Sequence, residues 1–410
     1  MTQLKAIAFF CHPYHRGGVT RWMADAAMDY AAKGYEVYFA TPEPALEFYS
    51  GKGRETMVQL LTKTPVNVKL ISCKVGREFE FGLPEYTSHI YRQLLCQVPA
   101  GTPVILSDDK TIWQAAVDLK ASYPLVGVLH ADEEAYYILA KRFHKDVDIF
   151  VCVSGRVHNT VQQKVPEIDP ARIFTVPCGI NFPTVELSAA ANSKLKLLYV
   201  GRIAAYQKRT GDLLKVAMQL DKQGIDFQWD IIGDGGDFKV SLEQQFNDAG
   251  LNEKVTFRGW LSQAEVLQYM GKADVLILVS DFEGMPVSMM AALSMGWGFV
   301  GTRVSGIEDY EVHPLANDCF GVFNVGDIEA AAERIRHIAG VPVTTRQKAA
   351  RELAMSQFTM QICLDNYNKA ISTIPSKEYK APALPKLPAS VAIKSRFVAL
   401  GREWKMAMKK

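Results

Sequence analysis

Apolar residues in this chain come in short runs separated by amphipathic stretches. The runs Lys5–Phe10, Glu36–Thr41, Asn67–Ser72, Pro103–Ser107, Leu125–Leu129, Asp148–Val153 and Arg172–Val176 have the length and composition of strands. Between them lie stretches with helical spacing, such as Val19–Lys33, with Gly34 placed as its C-cap. Residues 178–194 lose periodicity and read as a linker. Alternation then restarts with strands at Lys196–Val200, Gln228–Ile232, Val255–Arg258, Val275–Val279, Phe299–Val304 and Gly321–Val325. Residues 344–373 read as helical. Repeated strand–helix alternation predicts an α/β protein with a doubly wound parallel sheet in each half.

The run Val275–Val279 is apolar at every position, as a strand buried on both faces requires. A polar turn follows, Asp281-Phe282-Glu283-Gly284. Pro286 is placed at the first position of a helix, where its missing N–H costs nothing. Met289, Met290, Leu293 and Met295 continue that helix up to Gly296. Glu283 thus falls at the carboxyl end of a parallel strand, where open α/β sheets bind ligands. The helix start offers free N–H groups and its positive end to an anion or an oxygen-rich ligand.

At 410 residues the chain exceeds one ordinary core and implies two domains. Hydrophobic content of 48% and charged content of 22% fit a globular protein in water. A net charge of +2 gives no overall pull toward nucleic acid, and none is expected as a partner. Seven scattered cysteines show no metal-binding spacing, and their odd number argues against a full disulfide set. No cofactor and no metal are expected, and a reducing cytoplasm is the simplest compartment. The first apolar run is too short for a signal-peptide core, and no run approaches the roughly 18 residues of a membrane span.

Other strand ends carry chemistry as well. Gly17 and Gly18 lie between the first strand and its helix, where paired glycines let backbone approach a phosphate, although a plain turn explains them too. His12 and His15 flank them. His130 ends a strand and is followed by Asp132, Glu133 and Glu134, which suit either a charged helix start or contact with a ligand. Asp109, after Asp108, is placed as a helix cap or a ligand contact. Ser154-Gly155 ends a further strand. In the second half Arg202 leaves the first strand, and Lys208-Arg209 opens the next helix. Two cations at one strand end suit a diphosphate. Gly233 sits in the strand-to-turn run Ile231–Gly236. Trp260 and Leu261 follow another strand, with Trp260 either a ligand contact or part of a core.

Glu283, Gly284 and Pro286, with Arg202 and Lys208 upstream, resemble the donor signature of the retaining family-4 glycosyltransferases, which have the GT-B fold. The layout resembles that family over roughly residues 5–372, on topology alone. The resemblance implies two Rossmann-like domains facing across a cleft. Residues 1–180 would bind the acceptor, with residues 358–372 crossing back to them, and residues 195–357 would bind the nucleotide sugar. It implies a retaining, metal-independent hexosyltransferase. The sugar would move from a nucleotide diphosphate, a UDP-sugar in preference to a GDP-sugar, to a glycan or lipid-linked acceptor of a cell-surface polysaccharide. Catalytic roles are implied for His130, Glu283, Arg202 and Lys208. Donor contacts are implied for Gly17, Gly18, Gly233, Trp260, Leu261, Gly284, Met285, Pro286, Val287 and position 291. Acceptor contacts are implied for His15, Asp132 and Glu133. Val176–Asn181 is similar to the family's hinge-proximal segment, and Ser305–Glu308 to its sugar-side turn.

One position departs from the family pattern. Its second glutamate, which accepts hydrogen bonds from the nucleotide's ribose, should stand at 291, where this chain has Ala291. Three accounts compete: a deliberate Glu→Ala change, a natural site that binds without the carboxylate, or a protein that lost catalysis and kept its fold. Ala291 makes a nucleotide-sugar-binding scaffold one alternative; a GT-B epimerase is a second, lacking an evident acid/base set.

Residues 373–410 turn proline-rich and then basic. Ile393, Phe397, Leu400, Trp404 and Met408 recur at helical spacing beside Lys394, Arg396, Arg402, Lys405, Lys409 and Lys410. Such a segment fits a helix at an anionic membrane surface, a helix docked on the N-terminal domain, or a disordered end. The docked helix or disordered end is preferred.

Overall fold

The computed structural model describes residues 4–13, 18–44, 56–63, 67–106, 109–183 and 194–407. Two compact units divide the chain. The first comprises Met1–Cys152, His158–Val176 and Leu364–Lys410; the second comprises Val153–Val157 and Pro177–Cys363.

The first unit holds β1 (Ala6–Phe10), β2 (Glu36–Ala40), β3 (Glu43–Pro44), β4 (Val68–Ile71), β5 (Lys74–Val75), β6 (Val104–Leu106), β7 (Leu125–Leu129), β8 (Ile149–Cys152) and β9 (Ile173–Thr175). Seven of them form one sheet in the order β4-β2-β1-β6-β7-β8-β9, parallel throughout. β3 and β5 make a separate two-residue pair. Winding starts at β1, runs out to β4, then returns to β6 on the other side, so the switch point lies between β1 and β6. β7 is buried at every position, as its unbroken apolar sequence requires. The helix Gly18–Ala32 covers this sheet through Trp22, Met23, Ala26, Ala27 and Tyr30, and Gly34 follows it at φ 83°.

The second unit holds β10 (Leu195–Val200), β11 (Phe227–Ile232), β12 (Val255–Gly259), β13 (Val275–Leu278), β14 (Gly298–Thr302) and β15 (Phe320–Phe323). Their order, β12-β11-β10-β13-β14-β15, is again all parallel, with its switch point between β10 and β13. β13 and β14 are fully buried. A buried ion pair anchors the start of β13. Arg346 of the helix Val343–Gln357 reaches Asp274 at 3.0 Å, and Asp274 also accepts from the Lys196 N–H of β10.

Several sequence expectations need correction. The helix expected over 344–373 is two, Val343–Gln357 and Met360–Ser372. Between them the backbone pairs with Ile180, whose N–H donates to Phe358 O and whose carbonyl accepts from Met360 N. The same bonds remove Cys178–Ile180 from the expected linker, since Cys178 is buried and Ile180 is bridged to Thr359; residues 184–193 lie outside the described residues. β14 stops at Thr302 because the Val304 N–H turns back onto the Thr302 carbonyl. Pro286 is the N-cap and not the first helical residue.

The tail is ordered onto the first unit. The Lys380 N–H donates to Ala121 O, Lys377 pairs with Asp148, and the helix Ala389–Ala407 packs on the short helix Arg77–Phe81. A docked helix was one of the sequence alternatives.

Candidate functional site

The second unit's switch point gathers the charged groups. β10 and β13 are neighbours whose following loops leave in the same direction, because the strands are parallel. The first loop carries Arg202 and Lys208, the second Glu283. Lys208 Nζ lies 2.6 Å from Glu283 Oε1, and Ser280 Oγ donates to the same oxygen at 2.6 Å. Glu283 is only 5% exposed, so both donors meet it largely out of water. Ser280 is fixed in turn, its carbonyl accepting from Thr302 Oγ1 at 2.6 Å.

Arg202 is exposed and donates through Nη2 to Gln207 Oε1. Gln207 ties the two loops together, since its carbonyl accepts from the Asp281 N–H at 2.7 Å and its amide faces the Phe282 carbonyl. Gln207 and Arg209 hold φ of 64° and 44°, a backbone region that is costly for residues other than glycine. The surrounding bonds over-determine that conformation. Arg209 is spent on carboxylates, bonding Asp212 at 2.9 Å and Asp281 at 3.2 Å, whereas Lys208 faces Glu283.

After Glu283 the chain runs through Gly284 and Met285 to Pro286, then into the helix Val287–Ser294. Pro286 provides no side-chain cap, so the first-turn N–H groups keep their capacity for an anion. Gly306 makes the close approach that shapes this turn. Its φ is 74°, and a Cβ there would meet the Gly284 carbonyl oxygen at 1.9 Å. Gly233 does the same beside Arg202, at φ 150°, where a Cβ would meet the Gly201 carbonyl oxygen at 1.8 Å. Trp260 follows β12 and is 72% exposed, so it does not fill the core; Leu261 beside it is half-buried. The Gly259 carbonyl before them accepts from the Gly233 N–H at 2.9 Å. Ala291 is half-buried on the helix, and its carbonyl takes the Ser294 hydroxyl.

The first unit presents a second group. His130, just past β7, is buried against Trp22 and Tyr136, with ring centroids 5.5 and 6.4 Å away. Burial lowers its pKa to about 3, so the imidazole is neutral. Its Nε2 has no hydrogen-bond partner among the described residues. Asp132 accepts from Tyr137 Oη, and Glu133 is the N-cap of the helix Glu134–Phe143 without a side-chain cap bond. Asp109 caps its helix by accepting from Thr111 N and Ile112 N. Gly18 opens the first helix and is exposed. His15, Gly17 and Asp108 lie outside the described residues.

The sequence alone assigns no role to Ser280, Gln207 or Asp281. Ser280 stands where an all-apolar strand first turns polar, a signal that was available. Gln207 acts through its backbone conformation, which its residue type does not announce. Among the described residues, no three His, Cys, Asp or Glu side chains gather as a metal-holding group.

Comparison with known proteins gives consistent matches along both units. Residues 16–182 match the family model described as Glycosyltransferase Family 4, and residues 194–340 match Glycosyl transferases group 1. The amylovoran biosynthesis glycosyltransferase AmsK of Erwinia amylovora is 28% identical over 184 residues, 42% of this chain and 44% of that protein. The alpha-D-kanosaminyltransferase of Streptomyces kanamyceticus is 30% identical over 139 residues, 34% of this chain and 36% of the relative. Each match thus spans less than half of the relative's length. Among solved structures, Anabaena Alr3699/HepE in complex with UDP and glucose superposes with a TM-score of 0.68 at 16% identity, over 90% of this chain and 100% of that one. The lipopolysaccharide outer core galactosyltransferase WaaB superposes with 0.65 at 18% identity, over 90% and 99%. At such identities the likeness is one of fold.

Proposed function

Because the chain belongs to the family-4 glycosyltransferases of GT-B fold, carrying their two domain models in order, we propose that it moves a sugar from a nucleotide diphosphate to an acceptor hydroxyl. The observation that carries this is the meeting of Lys208, Ser280 and Glu283 at the second unit's switch point, with Arg202 alongside and an uncapped helix start ahead. The bond that breaks joins the anomeric carbon to the β-phosphate oxygen. Negative charge grows on the departing diphosphate, and Arg202, Lys208 and the helix N–H groups would take it up. Lys208 now neutralises Glu283. With a donor bound it would turn to phosphate, leaving Glu283 and Ser280 to hold sugar hydroxyls.

We assign His130 a hydrogen bond to the sugar. A buried neutral imidazole with an unused Nε2 is costly unless something occupies it. Retention at the anomeric carbon, with attack from the leaving-group face, is proposed from the family resemblance; the other carboxylate of this turn, Asp281, is held by Arg209. Metal independence is proposed from the family resemblance alone. A UDP-sugar donor is supported by the fold neighbour solved with UDP and glucose. A glycan or lipid-linked acceptor in cell-surface polysaccharide synthesis is supported by the names of the amylovoran relative and of the lipopolysaccharide galactosyltransferase among the fold neighbours. Asp132 and Glu133 are proposed to face that acceptor.

Ala291 favours a second reading, binding without turnover. Incubation with UDP- and GDP-sugars, followed by chromatography of the products, separates the two. Transfer or hydrolysis, releasing UDP and lost in Glu283→Gln, supports the enzyme. Binding without release supports the scaffold, and an isomerised sugar would point to an epimerase. Absence of both binding and turnover overturns the proposal. In the same assay Ala291→Glu should tighten donor binding about ten- to a hundredfold, the worth of one charged hydrogen bond.

A further inference from the structure

The C-terminal helix Ala389–Ala407 is mounted with its large apolar side chains Ile393, Phe397, Leu400 and Trp404 exposed. Its contact side is small and polar. Ser395 and Ala399 are fully buried, and Ser395 Oγ accepts from the Leu83 N–H at 3.0 Å. Arg402 donates to the Phe81 and Gly82 carbonyls, and Glu403 pairs with Arg77 at 2.6 Å. On the far side Ile393, Phe397, Leu400 and Trp404 are 58, 71, 44 and 67% exposed. At about 100° per residue these four fall within roughly 60° of one another, opposite Ser395 and Arg402. An amphipathic helix of a water-exposed fold buries its large apolar face. This one is fastened by the other face, so folding of the unit does not account for the stripe.

Charge narrows the occupant. Exposed Lys394 and Lys405 flank the stripe on one side and exposed Arg396 on the other, and the sequence continues to Lys409 and Lys410. The helix's one acidic residue, Glu403, is held by Arg77. An apolar stripe bordered by cations, with a tryptophan in it, matches the boundary between acyl chains and anionic headgroups. Among the described residues no helix is long and apolar enough to cross a membrane. We propose that this face lies on an anionic bilayer, with Ile393, Phe397, Leu400 and Trp404 in the interface and Lys394, Arg396 and Lys405 on the headgroups. The surface is independent of the donor site, and its test does not depend on turnover.

The test uses the full chain and the double variant Phe397→Ser/Trp404→Ser, with vesicles of phosphatidylcholine alone or mixed with phosphatidylglycerol. Both side chains are exposed, so the variant should melt as the parent does. The parent should sediment with the anionic vesicles, and the variant's partitioning should fall at least about tenfold. Lys394→Glu/Lys405→Glu should erase the preference for anionic vesicles. Equal partitioning of parent and double variant overturns the proposal. So does a parent that ignores both vesicle types, and so does a parent that is a dimer dispersed by Phe397→Ser/Trp404→Ser, which would assign the face to a second copy of the chain.

Discussion

Glu283 is a carboxylate withdrawn from water and given two donors, Lys208 and Ser280, on one of its oxygens. Removing either would leave a buried charge short of compensation. His130 is the opposite case, a titratable group withdrawn from water whose Nε2 has no hydrogen-bond partner among the described residues. Its folded pKa is about 3 against an ordinary value of 6.5, so between those values the unfolded chain binds more protons. Folding stability therefore rises with pH through that window and is lost as pH falls from about 6.5 toward 3. Replacing His130 with phenylalanine, which keeps a ring against Trp22 and Tyr136, should remove a loss on the order of 3 kcal/mol between pH 7 and pH 4. Urea unfolding of parent and variant at both pH values measures it; identical losses in the two would show that His130 does not titrate this way. At this scale the sequence was informative where charge alone carried the signal. Arg202, Lys208 and Glu283 all follow strand ends; Lys208 meets Glu283, while Arg202 bonds Gln207. It was silent on Gln207 and on the exposure of Trp260, which depend on backbone conformation and neighbouring surface.

At the scale of elements, the turn from β13 into the helix Val287–Ser294 is built by close approach and not by side chains. Gly306 sits at φ 74° with the Gly284 carbonyl where its Cβ would be. Gly306→Ala should therefore cost about 1–3 kcal/mol or more, since strain and clash act together. Denaturant unfolding measures this, and a variant as stable as the parent would mean the turn has slack. The βα alternation was legible because parallel buried strands are apolar throughout and their helices are periodic. What was not legible involves partners distant in sequence. Ile180 interrupts one long helix at Phe358, and Arg346 spans to Asp274. Local periodicity records neither. The tail helix was visible as amphipathic, but which face it would bury was not, because Ser395 and Ala399 give no sequence signal of docking.

Across the whole molecule the design repeats: two parallel sheets, each wound outward from its first strand and then back past it. The second unit sets Lys208 against Glu283 at its switch point, with Arg202 on the same loop as Lys208, and the tail places an apolar stripe on the first unit. Both follow from which loops leave which strand ends and which face of a helix is fastened. Basic groups leaving β10 would hold the donor's pyrophosphate. Arg202 is exposed, so Arg202→Met leaves no buried group unpaired and should melt with the parent. Calorimetric titration of UDP into parent and variant reads this contact without turnover. Affinity in Arg202→Met should fall about ten- to a hundredfold, the loss of one charged hydrogen bond to phosphate. Equal affinity in the two proteins would contradict the account.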